Sequence, residues 1–115
     1  MITIYRGFAK KIPVTVRQAD GEDKGDPVNI SSATEIKACI TGPNGDQEAT
    51  LTGTGITVVD AALGKFDIDF DASQLSTANI DIGQSQVDGF IQFPAGTDPI
   101  PFQIAVEVED LPCQP

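Results

Sequence analysis

Apolar and polar residues exchange at every second position along most of this chain. Period two sends alternate side chains to opposite faces of a strand. Ile2 and Ile4 open a first short strand, with Thr3 and Tyr5 on its other side. Ile12, Val14 and Val16 then alternate with Lys11, Pro13, Thr15 and Arg17, in a stretch running to Ala19. Pro13 has no N–H to give to a ladder, which places this strand at a sheet edge or a bulge. Further strands are predicted over 35–41, 48–52, 56–60, 65–71, 84–93 and 100–108. The cleanest is 65–71, where Phe66, Ile68 and Phe70 share one face and Asp67, Asp69 and Asp71 the other. Each buried member of that apolar trio stabilises by about 1.5–3 kcal/mol relative to exposure. Three carboxylates cannot all enter a core, so the strand is half-buried.

Turn chemistry separates these runs. Asp20-Gly21-Glu22-Asp23-Lys24-Gly25-Asp26-Pro27 is a polar loop whose glycines accept positive φ, and Gly42-Pro43-Asn44-Gly45-Asp46 is a tight turn. Val28 and Ile30 give the segment between loop and third strand two apolar anchors. Ala72–Ala78 is the one stretch with helical character, a single turn capped by Asp71 or Ser73, with Leu75 plugging the end of the molecule. Seven or eight short strands, with turns every 8–15 residues and no long helical period, predict an all-β sandwich. The expected organisation is one sandwich domain over 1–110 and a tail over 111–115.

A chain of 115 residues has room for one core and needs no metal or disulfide to hold it. Its charge narrows the partners further. Seven basic residues face seventeen acidic ones, for a net charge of -10. Such a field repels phosphate backbones and anionic headgroups, so neither nucleic acid nor membrane is expected as a partner. It also keeps a protein soluble at high local concentration. No charged-then-apolar leader and no spanning apolar run is visible, so synthesis in a cytoplasm is expected.

Histidine is absent, which removes the Ser-His-Asp triad and the usual zinc centres. No nucleophile elbow, phosphate loop or dinucleotide fingerprint occurs, and neither catalysis nor a cofactor is expected. A paired-carboxylate hydrolase stays formally open, but a chain with no Trp and one Tyr has little to stack on a sugar. Cys39 and Cys113 can form one bridge, although nothing in their spacing demands it; a buried or incidental thiol is the simpler reading.

Three places could carry binding. Asp67, Asp69 and Asp71 line one strand face, but their backbones are about 6.5–7 Å apart, wide for a single ion. No metal is expected; if a cation binds, the loop carboxylates Asp20, Glu22, Asp23 and Asp26 are its candidates. That loop lacks the helix–loop–helix calcium pattern, and a surface hairpin is the plainer reading. Tyr5 and Arg6 are the candidate partner contacts, being residue types that anchor interfaces. Asn29-Ile30-Ser31 matches a glycosylation pattern that a chain without a secretion signal would not use.

The opening Ile2-Thr3-Ile4-Tyr5-Arg6-Gly7, the alternating strand behind it, Asp20-Gly21 and Pro27-Val28-Asn29-Ile30-Ser31-Ser32-Ala33 together carry a resemblance. The chain resembles the immunoglobulin-like N-terminal domains of phage baseplate upper proteins and related tail-fibre and virion domains. Gly64-Lys65-Phe66-Asp67-Ile68-Asp69-Phe70, followed by Ala72-Ser73-Gln74-Leu75, is similar to that family's Gly-x-aromatic strand and short helical corner. Phe8-Ala9 stand where the family has Asp-Thr, and Ile30 where it has Leu.

The resemblance implies an immunoglobulin-like β-sandwich of seven to eight antiparallel strands with one short helical turn. It also implies a phage structural protein of the virion, docking on tail, baseplate, neck or capsid proteins. Its partners would be other virion proteins, in many copies or as a homo-oligomer, joined through edge strands and loops. The alternative is a carbohydrate- or cation-binding adhesion module using the Asp67 face or the Asp20–Asp26 loop.

Overall fold

The computed structural model describes residues 2–18, 22 and 24–111. Among these residues eight strands form close to the predicted runs, the fourth starting three residues earlier than expected, inside the predicted turn: β1 (Ile2–Tyr5), β2 (Lys10–Thr15), β3 (Glu35–Gly42), β4 (Gly45–Thr50), β5 (Ile56–Asp60), β6 (Lys65–Phe70), β7 (Gly83–Gln92) and β8 (Ile100–Glu109). They make two sheets, a five-stranded one in the order β1-β8-β7-β3-β4 and a three-stranded one in the order β2-β6-β5. Pro13 sits in β2 at the edge of the smaller sheet, where its missing N–H costs no ladder bond.

The core is one contiguous cluster between the sheets. Phe66, Ile68 and Phe70 from β6 are buried, and Ile36, Ala38 and Ile40 from β3 face them together with Val87, Ile91, Val106 and Val108. Gly89 interrupts the inward row of β7. A Cβ there would collide with the Lys37 carbonyl oxygen and the Phe102 ring. Phe102, paired with Gly89 across the β7–β8 ladder, uses that space and reaches Phe66 with ring centroids 5.8 Å apart. The tilted contact ties the two sheets together.

Two expectations need correction. Strand pairing is not antiparallel throughout: β1 lies parallel to β8, with Ile4 opposite Val108. Direct hairpin neighbours must be antiparallel, but strands far apart in sequence are free to pair either way. Gly7, at φ 84°, turns the chain from β1 in one sheet toward β2 in the other.

The helical element is also displaced. The short helix is a 3₁₀ turn at Ala61–Leu63, capped by Asp60, whereas 72–79 is a series of hydrogen-bonded turns without a helix. The predicted cap is nevertheless present. Asp71 Oδ1 accepts from the Gln74 N–H at 2.8 Å, and Gln74 Oε1 accepts from the Asp71 N–H at 3.0 Å. This reciprocal pair satisfies the first turn, and Leu75 is buried behind it as the plug. Ser, Thr and Asn over 76–79 compete for backbone groups and stop the turn from growing.

The second strand ends at Thr15, short of Ala19. Beyond it the backbone leaves the ladder: Val16 donates to the Gly64 carbonyl at 2.9 Å, and Val28 donates to the Val16 carbonyl at 3.0 Å. Among the described residues no helix is long and apolar enough to cross a membrane.

Candidate functional site

The residues singled out from sequence are mostly spent on the fold. Arg6 grips Asp110 with two bonds, Nε to Oδ1 at 2.7 Å and Nη2 to Oδ2 at 2.6 Å, and its Nη1 reaches the Ile80 carbonyl. The guanidinium holds the Asp110 carboxyl below the usual carboxylate range, mainly through those hydrogen bonds. Arg6 therefore clasps the first strand to the last. Tyr5 stays 38% exposed on the outer side of β1, opposite Glu109.

The candidate cation loop is visible in part: Asp20 and Asp23 lie outside the described residues, while Glu22 and Asp26 are exposed. Its base is a hairpin, closed by Gln18 N–H to the Asp26 carbonyl at 2.8 Å and Gly25 N–H to the Gln18 carbonyl at 3.0 Å. The Asn29-Ile30-Ser31 run is an Asx turn, with Asn29 Oδ1 accepting from the Ser31 N–H. Cys113 also lies outside the described residues.

The acid stripe on β6 does not act as one cluster. Asp69 pairs with Lys11, Asp67 with Pro13 and Thr57, and Lys65 lies on the same outer face. Two lysines thus offset two aspartates. Asp71 has left the strand for its cap, where bonds from Gln74 and Ser73 hold its carboxyl below the ordinary value. A hollow of about 510 Å³ beside it is lined by Lys10 and Lys11 as well as Asp69 and Asp71. Among the described residues no three acidic or cysteine side chains converge as metal ligands.

The outer face of the five-stranded sheet differs. Register places Glu48, Cys39, Asp88 and Gln103 in one row across β4, β3, β7 and β8. The next row is Thr50, Lys37, Phe90 and Pro101. Asp46, Glu107 and Glu109 carry the same face further, and Lys37 is its one cation among the described residues. Lys37 is already engaged, with Nζ 3.1 Å from Glu48 Oε1. Glu35, at the end of β3, is occupied too: it accepts from the N–H groups of Ile36, Leu51 and Thr52 and from the Thr52 hydroxyl. Its carboxyl is accordingly held down, most of all by Thr52.

Within the first row, Cys39 is a free, half-buried thiol that burial pushes up, with Glu48 adding to the effect. Asp88 Oδ1 is closed off from solvent and has no hydrogen-bond partner among the described residues. An unmatched acceptor at such a position costs stability.

Two hollows meet at Phe90 on this face. One, of about 350 Å³, is lined by Cys39, Asp46, Glu48, Asp88 and Lys37. The other, of about 850 Å³, lies at the tip of the β7–β8 hairpin and is walled by Phe90, Phe93, Pro94, Ala95, Pro99 and Pro101. An acidic trough thus continues into an apolar one.

The sequence reading missed this face because its members come from strands far apart in the chain. The one local signal was Phe90, the single aromatic pointing away from the inward row of β7. No known protein-family model and no curated protein matches this chain.

Proposed function

We propose that this chain is an immunoglobulin-like, non-enzymatic docking module of a phage virion, present in many copies and binding other virion proteins. Strand order is the observation that carries the reading. Sheets ordered β2-β6-β5 and β8-β7-β3-β4 correspond to the B-E-D and G-F-C-C′ sheets of an immunoglobulin-type sandwich. The parallel β1 extends the second sheet at its β8 edge. In that architecture the hairpin joining the last two strands presents a loop at one end of the sandwich, a common place for recognition. Here the corresponding tip carries the larger apolar hollow.

The resemblance in the opening strand and at Gly64–Leu75 supports the phage assignment, and the net charge of -10 suits a subunit that must stay soluble before assembly. The chemistry points to surface recognition, since the acidic and apolar groups lie on an open sheet face. Mass spectrometry of particles purified from the host that encodes this gene tests the assignment. The chain should appear at a fixed ratio to the major structural proteins. Particles that form and infect without it would end the reading.

A further inference from the structure

We propose that the trough centred on Phe90 docks an extended cationic segment of a partner protein. An apolar side chain would fill the hollow at the β7–β8 tip, and a Lys or Arg two residues along would reach Asp88. The inference deepens the docking reading and rests on it, although not on the partner's being a phage protein.

Charge complementarity selects the occupant. Among the described residues, Asp46, Glu48 and Asp88 line the smaller hollow against Lys37 alone, and Lys37 is paired with Glu48. The remaining field attracts a cation and repels an acidic chain. Asp88 marks where that cation would sit, because it lines this hollow, shares a face of β7 with Phe90 and forms no ion pair among the described residues. A guanidinium or ammonium entering the hollow would make a charge-assisted contact with that carboxylate.

The apolar half fixes the rest of the pattern. Phe90 and Asp88 are two residues apart on β7 and point to the same side, so their spacing is about 6.5–7 Å. Side chains at i and i+2 of an extended peptide have the same spacing. A segment lying along β7 therefore meets the two hollows with an apolar-x-basic sequence. Phe90, Pro94 and Pro101 offer rigid apolar surface, which loses little conformational entropy when covered.

The probe is the capped pentapeptide acetyl-Thr-Leu-Thr-Arg-Thr-amide, titrated into the purified chain by calorimetry. A dissociation constant on the order of 0.1 mM is expected, as suits one short segment. Asp88→Asn and Phe90→Thr, each checked for an unchanged fold by circular dichroism, should weaken binding about tenfold. Replacing the peptide's Leu by Ser should do the same, and added salt should weaken binding further.

No saturable binding up to about 5 mM peptide, or equal affinity in Asp88→Asn, would overturn the proposal. Equal binding of the Ser peptide would reduce the effect to diffuse charge attraction and also overturn it. Dimerisation of the free chain, abolished by Phe90→Thr, would make the occupant a second copy and remove the cationic segment. Particle content and peptide affinity are separate measurements, so either reading can fail alone.

Discussion

The outer faces of the two sheets follow the same alternation rule and end with different electrostatics. On the smaller sheet, Lys11 and Lys65 stand among Asp60, Asp67 and Asp69, and the two cations offset all but one of these acids. On the larger sheet, Asp46, Glu48, Asp88, Glu107 and Glu109 meet one cation among the described residues, Lys37, already paired. The stripe that looks most acidic in the sequence is thus compensated by its neighbours. The face that keeps an unbalanced charge is assembled from single acids on separate strands. Acidity along one strand says little until the cross-strand partners are known.

Both faces depend on the same interior, and the largest effect comes from breaking it. Phe66→Ala removes a buried ring that touches Phe102 across the sheets. It should destabilise by about 3–5 kcal/mol in chemical denaturation. A loss under 1 kcal/mol would mean that the sheets are held together elsewhere.

Why the interior was legible and the face was not follows from the range of each signal. Phe66, Ile68 and Phe70 declare their side within six residues, because pleating alone fixes it. The eight strands emerge from the same local rule, and Pro13 correctly marks an edge. Nothing local says that Cys39 will lie between Glu48 and Asp88, since that depends on which strands become neighbours and in what register. The parallel β1–β8 pairing was hidden for the same reason. The capping pair Asp71–Gln74 was half-legible: the cap showed in the sequence, whereas the failure of the turn to become a helix arises from the polar residues after Leu75. Arg6 was noticed for its residue type, but its partner Asp110 lies at the far end of the chain.

Acid pH tests the carboxylates that the fold keeps ionised, Glu35 beside Asp71 and Asp110. Glu35 on the larger sheet holds a carboxyl below its unfolded value through bonds to Thr52, Ile36 and Leu51. A depressed folded value means stabilisation that is complete above the unfolded value and lost as pH falls through the folded one. Stability should therefore decline below about pH 4, and Glu35→Gln should flatten that decline while lowering stability at neutral pH. Melting curves across the acid range check it; an unchanged acid limb in the variant would place the titrating groups elsewhere.

Asp88→Thr sharpens the contrast in the opposite direction. Replacing the unmatched carboxylate by a good strand former should stabilise the free protein by about 1 kcal/mol, read from the denaturation midpoint. A loss of that size would show that Asp88 supports the fold. Least affected should be the double variant Asp67→Asn/Asp69→Asn, within about 0.5 kcal/mol of the parent, because its face is exposed and its charges are already compensated. A larger drop would show that the lysines on that sheet rely on those two acids.

The most direct measurement is an amide chemical-shift map of the chain titrated with the Leu-Thr-Arg peptide, beside the same map for the Asp67→Asn/Asp69→Asn variant. Shifts centred on Lys37, Cys39, Asp88 and Phe90, unchanged in the variant, are predicted. Shifts centred on β6, or lost in that variant, would place the recognition surface on the smaller sheet and contradict the account.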